Sequence, residues 1–234
     1  MTRYWLVMPA AGAGRRFGAE TPKQYAPLEG RTVIEWALAP FLGDARCARI
    51  VVALAAGDEH FARLPLRSRA TIAPGGAERS VSVRQALATL APEAAAQDWV
   101  LVHDAARPCL DAQDLERLVS GLAGHAVGGL LAVQVADTLK RADGPPGAAG
   151  ACVLSTQERA GLWRALTPQM FRYGALCAAL DAAHAAGRTP SDEAQALEWQ
   201  GERPRLIEGA ASNLKVTTAQ DLVLAAAILR ARHV

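Results

Sequence analysis

Lysine is nearly missing from this chain of 234 residues: of the 25 basic residues, only Lys23, Lys140 and Lys215 are lysines and the rest are arginine. If arginine serves wherever a positive charge suffices, the surviving lysines mark places that want a compact ammonium. An excess of charge of one sign is also missing. With 23 acidic residues and a net charge of +2, there is no dense basic face to release counterions, which excludes a non-specific nucleic-acid binder. Aromatic residues make up 5% of the chain and form no stripe on which bases would stack; Trp36, Trp163 and Trp199 read as packing residues. No apolar run approaches the ~18–20 residues that cross a bilayer, and stretches such as Leu222 to Leu229 fall far short. The four cysteines, Cys47, Cys109, Cys152 and Cys177, form no C-x-x-C pair, and no histidine stands at zinc-ligand spacing. A reduced, cytoplasmic compartment is therefore expected. The N-terminus, Met1 to Pro9, has one basic residue and an apolar run that stops at a Gly/Arg-rich loop, so it reads as a strand and not as a signal peptide.

What is present is apolar content. Hydrophobic residues are 51% of the chain, which excludes low-complexity disorder and suffices at this length to bury ~70–75% of the unfolded surface. A single domain over 1–234 is expected. Short β-rich runs alternate with amphipathic helical stretches: Arg3 to Met8, Arg49 to Leu54, Ala70 to Ala73, Trp99 to Val102, Gly129 to Val135 and Pro204 to Ile207. This alternation predicts an α/β fold with a mainly parallel twisted sheet and helices on both faces. Thr32 and Glu35 form a capping box for a helix that Gly43 closes, Arg79 to Leu90 reads as a second helix, Asp111 caps a third, and Thr218 caps the last, Ala219 to Ala231. Residues 136–157 break the pattern. A Gly-Pro-Pro-Gly turn at 144–147 separates two alternating segments, as in a β-hairpin arm protruding from the body.

The first strand runs into Pro9-Ala10-Ala11-Gly12-Ala13-Gly14-Arg15-Arg16, followed by Pro22-Lys23-Gln24. Glycines after a parallel strand let backbone N–H groups approach a phosphate. A dinucleotide fingerprint fails because Phe17 stands where the third glycine belongs, and no glycine pair has the Walker spacing. What remains is a glycine loop carrying Arg15, Arg16 and Lys23, which suits neutralising a triphosphate attacked by an anion; a solvated basic loop is the alternative. Asp104, in Val102-His103-Asp104-Ala105-Ala106-Arg107-Pro108, follows the fourth strand, where ligands collect in open sheets. It would bind a ribose hydroxyl or Mg²⁺, or else cap a helix or pair with Arg107. A second glycine turn, Pro74 to Ser82, either offers N–H groups with Arg79 and Ser82 to a base edge or is an ordinary βα turn. His103 has no nucleophile motif beside it and reads as a packed histidine.

Together with Asp137-Thr-x-Lys, Arg159 ahead of Leu162-Trp163, Thr167-Pro-Gln, Asp192-Glu-Ala and Asn213-Leu-Lys-Val-Thr, these segments resemble one family nearly end to end. It is the cytidylyltransferases that join CTP to 2-C-methyl-D-erythritol 4-phosphate in the non-mevalonate isoprenoid pathway. The resemblance implies catalytic roles for Arg16, Lys23, Arg159 and Lys215, the first two stabilising the pentacovalent α-phosphate. It places Ala10, Ala11, Gly12, Gly14, Gly76 and Ser82 around the nucleotide with Arg79 nearby, and Asp104 and Ala105 at the ribose, with Asp104 toward Mg²⁺. Thr138, Arg159, Thr167, Ser191 and Lys215 map to the second substrate's phosphate. Thr138 and Arg159 flank the arm, which in relatives reaches across a homodimer into the partner's site. A phosphate monoester is already an anion near neutral pH, so no base is required. Two departures are visible: Ser191 keeps a hydroxyl where many relatives have Thr, and Ser212 replaces a carboxylate. Other readings are a cytidylyltransferase for another polyol phosphate, such as ribitol 5-phosphate, and a nucleotide-sensing module without turnover; intact Arg16, Lys23, Asp104 and Lys215 count against the module. CTP, the sugar phosphate and a second copy of the chain are the expected partners, with no nucleic acid or membrane.

Overall fold

A computed structural model describes residues 2–12, 21–145 and 150–232. In chain order its elements are β1 (Tyr4–Pro9), β2 (Pro27–Leu28), β3 (Arg31–Thr32), α1 (Val33–Leu42), β4 (Cys47–Leu54), β5 (Thr71–Pro74), α2 (Arg79–Leu90) and β6 (Trp99–Val102). Then follow α3 (Ala112–Leu122), β7 (Gly128–Gln134), β8 (Leu139–Ala142), β9 (Val153–Gln157), β10 (Trp163–Arg172), α4 (Tyr173–Ala185), α5 (Glu193–Glu198), β11 (Arg205–Glu208) and α6 (Ala219–Arg232). Seven strands make one sheet in the order β11-β7-β10-β6-β1-β4-β5. Every pairing in it is parallel except those of β10, which runs antiparallel to both β6 and β7.

The near-continuous apolar strands are explained by burial on both faces. Side chains alternate across the sheet, so Leu6, Met8, Ile50 and Val52 pack with α1 and α3 through Ile34, Leu38, Leu115 and Leu118. Val7, Val51 and Val100 face the other way, onto Leu87 of α2 and Leu176 and Leu180 of α4. A third cluster seats α6 through Ala225 and Leu229 against Leu28, Val33 and Val216. The caps are those expected: Thr32 and Glu35 close a reciprocal box at α1, Asp111 accepts from the Gln113 N–H at α3, and Thr218 and Asp221 bond reciprocally at α6.

The expected strands are present within one or two residues of their bounds, and β8 and β9 form the antiparallel hairpin of the expected arm, a two-stranded sheet of its own. Pro146 and Gly147 of its turn lie outside the described residues, as do Gly14, Arg15 and Arg16. The ten-residue β10 has no counterpart in the sequence reading, although it lies inside the sheet. Its run is interrupted by Thr167 and Pro168. In the fold the β7 ladder shifts register between Ala165 and Gln169 and the β6 ladder begins only at Gln169, so Pro168 falls at an irregularity where its missing N–H breaks no ladder bond.

Candidate active site

The chain runs from β1 outward to β4 and β5 on one side and then crosses back through α2 to β6 on the other, which makes the carboxyl edge beside β1 the topological switch point. Three connections meet there: Ala10 to Gly12 after β1, Gly75 to Glu78 after β5, and His103 to Arg107 after β6. They enclose a cleft of about 560 Å³ whose wall also includes Lys23, Arg79 and Lys215.

The first two connections touch closely. A Cβ on Gly75 would lie 2.2 Å from the Ala11 Cβ and 2.8 Å from the Leu54 carbonyl oxygen, so only glycine lets the turn pass. Gln24, buried, donates through Nε2 to the Ala10 carbonyl at 2.8 Å and to that of Gly12 at 3.4 Å, tying the first loop from behind. Ser82 lies beneath the second turn, with its hydroxyl accepting from the Gly76 N–H at 3.0 Å and near the Glu78 carbonyl at 3.0 Å. It shapes the turn from the buried side.

Asp104 is the electrostatic centre. Its Oδ1 accepts from Arg79 Nε at 2.8 Å, its Oδ2 lies 2.8 Å from Lys215 Nζ, and Arg107 Nε stands 3.8 Å away. Burial alone would raise its pKa, but Arg79 and Lys215 outweigh burial and hold the carboxyl well below the usual carboxylate range. Burial likewise opposes the charge on Arg79, and Glu193 and Asp104 overcome it, raising the guanidinium pKa. Behind Asp104, its N–H donates to Thr167 Oγ1 at 3.1 Å, and that hydroxyl lies 3.0 Å from His103 Nδ1. His103 Nε2 is 3.2 Å from the Arg107 carbonyl. A carbonyl only accepts, so Nε2 carries the proton and Nδ1 accepts from Thr167. Burial pushes the His103 pKa down to about 4, keeping the ring neutral near pH 7, as a packed histidine should be.

Of the residues singled out from the sequence, Ala10, Ala11, Gly12, Lys23, Gly76, Arg79, Asp104, Ala105 and Lys215 share this cleft. Lys23 donates to the Val216 carbonyl at 2.9 Å. Thr167, buried, sits beneath Asp104 with its hydroxyl committed to His103 and the Asp104 N–H. Ser191 is exposed just before α5. Thr138 precedes β8 and Arg159 follows β9, both exposed at the base of the arm, where Arg159 donates to the Ala136 carbonyl. Neither is among the described residues that line the cleft. Ser212 accepts from Arg232 at 3.2 Å, on the α6 side. Gln24, Gln169 and Glu193 stand in the same sequence motifs as these residues, and only their tertiary partners reveal what they do.

A divalent cation such as Mg²⁺ wants hard oxygen donors. Among the described residues no three His, Cys, Asp or Glu side chains converge on a metal position, and the carboxylates in the cleft wall are Asp104 and Glu78, of which Glu78 accepts from Thr189. Two separate carboxylates fit Mg²⁺ that is otherwise held by phosphate oxygens and water, and do not fit an all-protein metal cage.

A family model described as IspD, 2-C-methyl-D-erythritol 4-phosphate cytidylyltransferase, matches residues 4–231. A protein of that description from Halorhodospira halophila is 53% identical, with 100% of this chain and 96% of the relative aligned. Among solved structures, a 4-diphosphocytidyl-2C-methyl-D-erythritol synthase superposes with a TM-score of 0.83 at 36% identity, covering 98% of this chain and 99% of the other. The cytidylyltransferase of Francisella tularensis gives a TM-score of 0.78 at 32% identity, covering 97% and 100%.

Proposed function

Since this chain belongs to the 2-C-methyl-D-erythritol 4-phosphate cytidylyltransferase family and so is a nucleotidyltransferase of isoprenoid precursor biosynthesis, we propose that the cleft beside β1 is where CTP binds and is attacked. The enzyme transfers CMP from CTP to 2-C-methyl-D-erythritol 4-phosphate, giving 4-diphosphocytidyl-2-C-methyl-D-erythritol and pyrophosphate. The observation that carries the placement is the meeting of two glycine-bearing turns, Lys23 and Asp104 at the switch point of the sheet. The pyrimidine sits against Ala10, Ala11 and Gly76, where backbone groups read its edge, and Asp104 and Ala105 face the ribose.

In the reaction a phosphate oxygen of the sugar phosphate forms a bond to the α-phosphorus while the bond from that phosphorus to the bridging oxygen breaks, and pyrophosphate leaves with the electron pair. Nucleophile and triphosphate are both anions, so the protein's task is to hold them in line and offset charge that grows on the α-phosphate oxygens. Lys23 and Arg16 supply that offset, and Lys215 holds the second phosphate from the Asp104 side. Asp104 would hold Mg²⁺ entering with the triphosphate, and the ion would neutralise phosphate charge there.

The arm is read as a dimerisation element that brings Thr138 and Arg159 to the partner's cleft. Its strands carry Leu139, Val153 and Leu154 exposed, the latter two by 63% and 64%, and an isolated two-stranded hairpin is marginal in water without a surface to cover it. The four free cysteines suit a reducing cytoplasm, and no helix among the described residues is long and apolar enough to cross a membrane.

The test is pyrophosphate release with CTP, Mg²⁺ and a panel of polyol phosphates. Turnover is expected with methylerythritol phosphate and CTP in preference to other nucleoside triphosphates. Turnover with ribitol 5-phosphate alone would assign the enzyme to another polyol, and CTP binding without any turnover would mark a sensing module.

A further inference from the structure

Glu193 is 1% exposed, yet its two oxygens accept from the outer edge of the Arg79 guanidinium, at 2.6 Å from Nη1 and 3.0 Å from Nη2. Desolvating both partners is costly, so a buried ion pair is weak evidence for a stabilising role. The surroundings are built to hold it. Asp192 caps α5 by accepting from the Gln195 N–H at 2.9 Å. Gln169 of β10 donates to Asp192 Oδ2 at 2.9 Å and accepts from the Ala194 N–H at 2.9 Å. The first turn of α5 is thereby fastened to the sheet. The end of α4 and the loop that leads to α5 hold the residues on either side of Arg79: Thr189 donates to Glu78 at 2.6 Å, and His184 Nε2 lies 3.1 Å from Ser80 Oγ.

Arg79 therefore stands between two carboxylates, with its outer edge on Glu193 and its Nε on Asp104. Planar guanidinium groups prefer two parallel bonds to one carboxylate. With the Glu193 charge removed, the outer edge of Arg79 is released to turn toward Asp104 and compete with Lys215 for Oδ2, which would draw Arg79 from its place on the cleft wall and cover the carboxylate that faces the nucleotide.

We propose that Glu193 is a positioning residue for nucleotide binding, holding Arg79 at the cleft wall by its outer edge and so keeping Arg79 from closing on Asp104. The inference rests on the cleft being the CTP site. It assigns a binding function to a residue that would face no substrate and acts only through Arg79.

The test is calorimetric titration of CTP with Mg²⁺ into wild type, Glu193→Gln, Arg79→Met and the double variant, with steady-state kinetics and thermal melting of each. Glu193→Gln is expected to weaken CTP binding about ten- to a hundredfold, the loss usual when a supporting partner of a ligand-binding group is removed. KM for CTP should rise by a similar factor while kcat changes little. In the Arg79→Met background the second substitution should cost nothing further, because both act on one interaction. Wild-type affinity in Glu193→Gln, or a fall in melting temperature with KM and kcat unchanged, would overturn the proposal, as would a further loss of affinity in the double variant relative to Arg79→Met. If Glu193→Gln does not fold, Glu193→Asp, which keeps the charge but draws it back from Arg79, is titrated in its place: weaker CTP binding is expected, and wild-type affinity would overturn the proposal. Failure of wild type to bind CTP would overturn the reading of the cleft, and this proposal with it.

Discussion

Lys23→Ala and Arg16→Ala are each expected to lower kcat by about two to three orders of magnitude, with a much smaller change in KM for CTP. The reason is the timing of the charge. CTP already carries nearly its full negative charge when it binds, and several groups share in holding it, whereas charge on the α-phosphate oxygens grows only as the new bond forms. A compact ammonium at the cleft wall meets that growth without reorganising. Lys23 is held for it, donating to the Val216 carbonyl at 2.9 Å from a position on the wall. Steady-state kinetics with both substrates varied check the assignment. If Lys23→Ala altered only KM for CTP, Lys23 would be a ground-state binding group and the charge offset would have to come from elsewhere.

Mixing two dead enzymes is expected to restore activity. If the arm delivers Arg159 to the cleft of a twofold partner, each site takes Arg16 from one chain and Arg159 from the other, and an isologous dimer has two such sites. Arg16→Ala and Arg159→Ala homodimers each lack a cation at both sites. Unfolding and refolding an equal mixture gives about half heterodimers, in which one site carries both substitutions and the other carries neither. Activity should therefore return to about a quarter of wild type, half of the dimers having half of their sites intact. The exposed Thr138 and Arg159 at the base of a hairpin with exposed Leu139, Val153 and Leu154 motivate the experiment. Activity no greater than that of the two variants assayed apart, with subunit exchange verified by chromatography, would mean that Arg159 works within its own chain.

Local and periodic features of the fold were legible in the sequence, and those that depend on tertiary partners were not. The strands β1, β4, β5, β6, β7 and β11 announce themselves as apolar runs between helical stretches, and the caps at Thr32 and Asp111 are local chemistry. The strand β10 hides because Thr167, Pro168 and Gln169 break its pattern, and each break has a tertiary explanation: Thr167 joins Asp104 to His103, Pro168 sits at the register shift, and Gln169 anchors α5. The short helix α5, six residues long, offers little periodicity of its own. At the site, the glycine turns and Asp104 follow strand ends and could be read from position alone, and Lys23 stood out as one of three lysines, in the basic loop after β1. Glu193 could not, because its partner Arg79 is 114 residues away. A buried-pair carboxylate looks in sequence like any acidic residue in the first turn of a helix.

A crystal of this protein soaked with CTP and Mg²⁺ would test the central claim most directly. The account predicts cytosine against Ala10, Ala11 and Gly76, ribose beside Asp104 and Ala105, and the α-phosphate within reach of Lys23. Nucleotide density seated anywhere else, with the cleft beside β1 unfilled at saturating CTP, would contradict it.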